Sequence, residues 1–195
     1  MYKQFGKRLL DILLSSLLLP FVILIAVLVS VLIILDDGFP IFFKGKRIGI
    51  FGNEFEMYKF RSMRRNAPDI RNADGSTYNS EDDPRITRVG KFLRKTSIDE
   101  LPQIFNVIKG DMSIVGPRPL VPINEKHVDN SHIFIERLEA KPGITGYSQA
   151  YFRNSISQYE KFKYDAYYAS NITFIGDLKI IIKTAISVIK RDNIY

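Results

Sequence analysis

Between Asp11 and Asp36 the chain runs 24 residues, Ile12 to Leu35, without a charged side chain. As a helix rising about 1.5 Å per residue, this run is about 36 Å long, enough to cross the hydrocarbon core of a bilayer. No other stretch constrains the fold as tightly, because backbone groups in hydrocarbon find no water and must bond to one another. A cleaved secretion signal fits poorly: the apolar part is too long and no small-residue cleavage site follows. A plain span meets two objections. Pro20 lies well inside the run, where it removes a backbone hydrogen bond and kinks a helix. Lys3, Lys7 and Arg8 precede the run, and Lys44, Lys46 and Arg47 follow it. The positive-inside rule wants both flanks in the cytoplasm, which one straight span cannot provide. A helix that enters, breaks near Pro20 and returns to the same face satisfies both.

The remaining residues, 39–195, are enough for one ordinary domain with a real core, continuous with the membrane segment 1–38. The net charge of +7 points to anionic partners: nucleic acid, anionic lipid or phosphorylated substrates. Cysteine is absent and His127 and His132 are the only histidines. A disulfide framework, a thiolate metal site and a His-rich zinc cluster are therefore excluded.

Residues 39–63 read as two β-prone runs around Gly52-Asn53, a turn signal. The second run sets Phe55, Met57 and Lys59 on one side and Glu56, Tyr58 and Phe60 on the other. Residues 66–84 are polar and turn-rich, a loop. From Arg85 to Lys95, Val89, Phe92 and Leu93 fall at helical spacing between basic residues. Residues 123–140 read as a helical stretch of mixed charge without evident chemistry. Turns are marked at Pro142-Gly143 and Gly146, with short extended pieces at Ile144, Tyr147 and Tyr151. Residues 158–170 carry an aromatic helical pattern around Asp165, best read as a core-packing face. The last helix, about 177–191, sets Ile180, Ile181, Ala185, Ile186 and Ile189 against Lys179, Lys183, Lys190 and Arg191. That is a basic amphipathic pattern suited to a membrane surface or to packing on the domain. The fold class expected is α+β, mainly helical, with a small β-hairpin and surface amphipathic helices.

The chemistry concentrates in Thr96–Leu120. Ser97 and Glu100 have the spacing of a helix capping box. Leu101, Ile104, Phe105 and Ile108 then share one helical face, and Lys109-Gly110 closes the helix. Gly116-Pro117-Arg118-Pro119 holds one guanidinium in a stiff frame. Asp99 and Glu100 can be two acids favouring the positive end of a helix. Their setting supplies a second reading, since Arg85, Arg88, Lys91, Arg94 and Lys95 precede them and Arg118 follows. A helix N-terminus binds phosphate and keeps an aspartate ionised, and aspartate can attack a phosphoryl group. A neighbouring glutamate can hold magnesium together with substrate phosphates.

The run DPRITRVGKFLRKTSIDELPQIFNVIKGDMSIVGPRPL at 83–120 resembles the signature of bacterial sugar transferases, the small monotopic phosphoglycosyl transferases. The likeness extends from KRLLDILLSSLLLP to DLKIIIKTAISVIKR. It implies transfer of a sugar-1-phosphate from a UDP-sugar to undecaprenyl (polyprenol) phosphate, with release of UMP. It also implies a re-entrant helix broken at Pro20 that keeps the protein on the cytoplasmic face of the bacterial inner membrane. No nucleic acid partner is expected. By this resemblance Asp99 is the nucleophile that becomes a phosphosugar ester, and Glu100 holds Mg2+. Lys59, Arg94 and Arg118 surround the phosphates, and Gln149, Arg153 and Asn154 lie near nucleotide or sugar. Arg61 belongs to the same motif as Lys59. The family often has serine directly before the proline, where this chain has Leu19; Ser15 and Ser16, a turn earlier, are then the groups to satisfy carbonyls freed by the break. Phe152 stands where the family's Gly-Arg-Asn motif has glycine. Larger relatives carry additional N-terminal domains, so the chain reads as the minimal form. Two other classes remain open: a membrane-anchored basic binding module, and a phosphohydrolase of nucleotide sugars using the same aspartate.

Overall fold

The apolar run folds as one helix, α1 (Lys7–Asp37), entered through a π-helical turn at Tyr2–Gly6. The computed structural model describes residues 2–70, 78, 80, 82–122, 132–153 and 155–190. Asn154, Arg191, residues 123–131 and positions 71–77, 79 and 81 of the polar segment lie outside the described residues. Helical structure continues through Pro20, so the expected break does not divide α1 into two helices. A proline removes one rung of the ladder, and the turns on either side keep theirs. Ser15 is buried and its Oγ makes no hydrogen bond, so it repairs nothing there.

One stripe of α1 is covered: Lys7, Asp11, Ser15, Val22, Val29 and Ile33, spaced by four or seven and hence on one face. Leu9, Leu13, Leu17, Phe21, Leu24, Leu28, Leu32 and Leu35 are exposed. Both ends of the helix are fastened to the rest of the chain. At its start Lys7 Nζ donates to Asp177 Oδ2 at 2.7 Å and to the Tyr168 hydroxyl at 2.9 Å. Arg8 donates to the carbonyls of Val107 and Ile108, and Asp11 accepts from Ser113 Oγ and the Ile114 N–H. At its end Asp36 accepts from the Val89 N–H at 2.9 Å, and Asp37 pairs with Arg61 at 2.9 Å. Arg61 is therefore a fastening for α1.

Strands β1 (Phe42–Ile48) and β2 (Glu54–Phe60) form the expected antiparallel hairpin, with Phe42 opposite Phe60 and Ile48 opposite Glu54. β2 is covered on both sides. Met57 packs with Val107 and Met112; Phe60 packs with Val29, Ile33 and Leu93. Helix α2 (Arg88–Lys95) is capped by Thr87 Oγ1, which accepts from the Gly90 N–H at 2.9 Å. It lies against the exit of β2 so closely that a Cβ on Gly90 would sit 2.0 Å from the Ser62 carbonyl oxygen. Gly90→Ala therefore pushes α2 away. We expect a loss of about 1–3 kcal/mol, as for overpacking elsewhere, read as a lowered melting temperature in detergent.

Helix α3 (Gln103–Lys109) ends at Gly110, whose φ of 100° is the left-handed stop read from the sequence. Its inner face differs from the expected one. Gln103, Ile104, Asn106 and Val107 are buried, whereas Phe105 and Ile108 are exposed. Asn106 explains the exchange: its amide donates to the Glu56 carbonyl at 2.7 Å and accepts from the Tyr58 N–H at 3.0 Å. A polar side chain thus stands in for a strand neighbour of β2. A second sheet, which the sequence reading lacked, pairs β3 (Ser113–Val115) in parallel with β4 (Gly143–Thr145). Around it lie α4 (His132–Arg137), α5 (Tyr147–Tyr151), α6 (Gln158–Ser170) and α7 (Phe174–Lys190). Val115, Ala140, Ala150, Tyr168, Ala169 and Ile180 form the core there. Tyr147 and Tyr151 are helical, not extended. The inner side of α7 includes Asp177, Ile180 and Ser187, while Ile186, assigned to the apolar face, is half exposed.

Candidate active site

The capping box expected at Ser97 does not form. Thr96 ends α2, and Ser97 turns the chain with φ 57°, its side chain capping nothing. Asp99 and Glu100 then occupy a single 3-10 turn, Ile98–Glu100, one residue pair short of α3. Glu100 is engaged by tertiary structure instead. Lys59 Nζ donates to its Oε1 at 2.5 Å, and Arg118 Nη2 lies 3.9 Å from the same oxygen.

The strand places Lys59. Alternation along β2 puts it on the side of Met57, the side that faces α3, so packing Met57 onto Val107 delivers the ammonium to Glu100. Arg94 comes from the last turn of α2, its Nε donating to Ser62 Oγ at 3.0 Å. Arg118 comes from the loop after β3, where Arg137 Nη2 donates to its carbonyl at 2.8 Å. Three cations from three separate segments thus converge on one acidic pair.

The two carboxyls are driven apart. Asp99 is only 8% exposed, and burial pushes it up to about 6; Lys59 opposes this and Glu100 adds to it. Burial also pushes Glu100 up, but Lys59 and then Arg118 outweigh it and hold the group at about 2. The expectation that a helix N-terminus holds Asp99 low is thereby corrected: one 3-10 turn supplies little dipole, and burial dominates. Asp99 remains largely ionised at neutral pH. Lys59→Met removes the main force on Glu100, and its carboxyl should rise toward the ordinary range. Side-chain carboxyl NMR over pH 2–6 reads that shift; a titration unmoved from about 2 would contradict it.

Among the described residues no group of three or more His, Cys, Asp or Glu forms a metal site. An ion held mainly by substrate phosphates needs only one or two carboxylates. Glu100 fits that lesser demand: it is ionised, partly exposed, and only its Oε1 is engaged by Lys59 and Arg118.

Of the other residues expected at the site, Asn154 lies outside the described residues, and Gln149 and Arg153 come from α5 and the turn after it. Gln149, in α5, donates to the Ile144 carbonyl at 3.5 Å while its Oε1 is buried and unbonded. Gly146 would bring a Cβ to 2.1 Å from the Gly116 carbonyl and 3.0 Å from that Oε1, so Gln149 sits beside the start of the Arg118 loop. Arg153 follows α5 with φ 48°. Arg85, counted among the phosphate-capable cations, is committed to Asp83 through Nη2–Oδ2 at 2.6 Å. Two residues were missed. Arg137 is 2% exposed and pairs with Asp165 at 2.9 Å. Lys161 lies near enough to Arg118 that burial and that guanidinium push its ammonium down. Arg137 had a faint signal, an Arg ending the half-apolar HIFIER turn; Lys161 had none.

The protein is thus mainly helical α+β, with one long apolar helix whose surface is largely uncovered and a carboxylate pair ringed by cations. Comparison with known proteins narrows this. Residues 2–191 match the model of the bacterial sugar transferase family, and the chain belongs to that family. It is 42% identical over 171 residues to the undecaprenyl-phosphate galactose phosphotransferase of Salmonella typhimurium, covering 82% of this chain and 35% of that protein. It is 41% identical over 192 residues to the uncharacterized sugar transferase EpsL of Bacillus subtilis, covering 96% and 89% respectively. Against the UDP-glucose:undecaprenyl-phosphate glucose-1-phosphate transferase of Xanthomonas campestris it is 41% identical over 165 residues, 80% of this chain and 33% of that one. The chain thus spans about a third of the length of the Salmonella and Xanthomonas relatives.

Proposed function

We propose that the protein transfers a sugar-1-phosphate from a UDP-sugar to a polyprenol phosphate such as undecaprenyl phosphate. The observation that carries this is the acidic pair itself: a buried, ionisable Asp99 beside a Glu100 held by Lys59 and Arg118, with Arg94 adjoining. The activities for which the Salmonella and Xanthomonas relatives are named support the same reaction.

Asp99 Oδ attacks the β-phosphorus of the donor. The bond from that phosphorus to the bridging oxygen breaks, and the electron pair leaves with UMP, which needs no proton. A phosphate oxygen of the lipid then attacks the same phosphorus, and the aspartyl oxygen departs. Arg94 and Arg118 bind the phosphates and balance the charge on the leaving group. Lys59 keeps Glu100 ionised and in place. Glu100 would hold Mg2+, which supplies charge neutralisation on the diphosphate.

The topology follows from α1. A helix with both ends fastened to the same folded chain would have to pass its end contacts through the bilayer if it spanned. This supports a monotopic placement, with the uncovered face of α1 in one leaflet and the site at the cytoplasmic interface.

The test is UMP release from a panel of UDP-sugars by detergent-solubilised protein with magnesium, with and without undecaprenyl phosphate. UMP and lipid-linked sugar are expected, and omission of the lipid should leave a phosphosugar adduct on Asp99 by mass spectrometry. UMP with free sugar phosphate would make the protein a hydrolase. No release from any donor, with polyprenol phosphate or anionic lipid still bound, would make it a binding module.

A further inference from the structure

A second concentration of positive charge lies outside the acidic pair. Arg64, Arg88 and Lys91, with Asp82, Asp83, Pro84 and Ile86, enclose an open cleft of about 370 Å³. All three cations are exposed, and none of them pairs with a carboxylate among the described residues. Its walls are firm. The Arg64 N–H donates to the Arg85 carbonyl, and the Asp83–Arg85 pair behind it is buried. No ion pair uses these cations; of the two carboxylates in the lining Asp83 is taken by Arg85, so three cations face one exposed carboxylate, Asp82, and an entering anion relieves their repulsion.

The place of the cleft says what kind of anion. α2 is bound by its start to Asp36, and the Arg65 N–H donates to Asp37 Oδ2. The cleft therefore sits at the end of the apolar helix. Leu32 and Leu35 in the last turns of α1, Phe39 just after it, and Phe92 beside Lys91 in α2 are all exposed. Arg94, about one helical turn beyond Lys91 on α2, acts on both Asp83 and Asp99.

We propose that this cleft binds a phosphate monoester, and that its source is the headgroup of the lipid acceptor, captured here with its tail along the exposed apolar side chains before it moves past Arg94 to Asp99. This rests on the transferase reading for the identity of the lipid and for its kinetic arm, while the binding arm is read without turnover. The diphosphate of a soluble nucleotide sugar offers similar anionic oxygens, though no monoester, and is the alternative source, but it has no use for the apolar surround.

The variant Arg64→Ala/Arg88→Ala/Lys91→Ala removes only exposed side chains and should fold, as circular dichroism and melting will report. In nanodiscs of neutral lipid, wild-type protein should bind polyprenol phosphate and not the uncharged polyprenol. The variant should bind the phosphate about tenfold or more weakly, the loss of two or three charge-assisted contacts. In turnover the acceptor KM should rise by the same factor while the donor KM stays unchanged. A raised donor KM with an unchanged acceptor KM would overturn the assignment in favour of the nucleotide. Equal binding of polyprenol and polyprenol phosphate, or equal affinity in wild type and variant, would overturn it altogether. If wild-type protein turns over no donor yet discriminates polyprenol phosphate in nanodiscs, the cleft stands and the transferase reading falls.

Discussion

Asp99→Asn should reduce turnover by about 10⁴-fold or more, since an amide cannot form the phosphosugar ester. The same side chain sets a pH limb. The attacking form is the anion, and burial holds the group at about 6, so activity should fall about tenfold per pH unit below pH 6. The effect on stability has the opposite sign. The folded pKa lies above the unfolded one, so protonation of Asp99 favours folding. That contribution is complete below pH 3.8 and lost as pH rises through about 6. At neutral pH the buried anion is a cost, and Asp99→Asn should raise the melting temperature while abolishing turnover. Matched melts at pH 5 and pH 7.5 check this: the gain should be greater at the higher pH. A variant that keeps full activity would remove Asp99 as nucleophile.

Arg137→Met should be the most damaging single change to stability, costing about 3–5 kcal/mol. Arg137 and Asp165 are almost fully enclosed and meet at 2.9 Å, and Asp165 also accepts from Ser148 Oγ at 2.7 Å. Removing the guanidinium leaves a buried carboxylate with one hydroxyl for company. A typical domain holds about 5–15 kcal/mol in all, so much of the protein should be recovered unfolded. Arg137→Met/Asp165→Leu removes both charges and should cost clearly less than the sum of the single changes in a double-mutant cycle. Additive losses would mean that the pair is worth nothing as a pair. The loop carbonyl of Arg118 also loses its donor, so the double variant should remain slow even where it is stable.

Elements with strong local signals were legible in the sequence. The apolar run, the hairpin around Gly52-Asn53 and the stop at Gly110 follow from composition, alternation and backbone freedom, and all three are in the structure. What failed was decided by distant residues. The chain has the spacing Ser-x-x-Glu at 97–100 and again at 157–160. The second is a true capping box, Ser157 Oγ accepting from the Glu160 N–H and Glu160 from the Ser157 N–H. The first is not, because Lys59, 41 residues away, takes the Glu100 carboxylate. Local pattern cannot tell the two apart. The face of α3 failed for a like reason, since Asn106 is buried by what it bonds on β2. At the candidate site, Asp99, Glu100, Lys59, Arg94 and Arg118 were singled out through their motif and do stand together, whereas Arg137 and Lys161 belong to no motif and are visible only once α4 and α6 are folded together. Arg85 was misread because its partner, two residues before it, looked like loop chemistry.

The fastening of α1 also sets an order of events during synthesis. Lys7 leaves the ribosome well before its partner Asp177, which follows 170 residues later. At about 5–20 residues per second this is an interval of roughly 10–30 s. Throughout it the apolar helix must already have found lipid, while the ammonium meant for a buried site stays hydrated at the bilayer surface. Insertion therefore comes first and closure last, and a nascent chain arrested before α7 should be membrane-bound yet open at the start of α1.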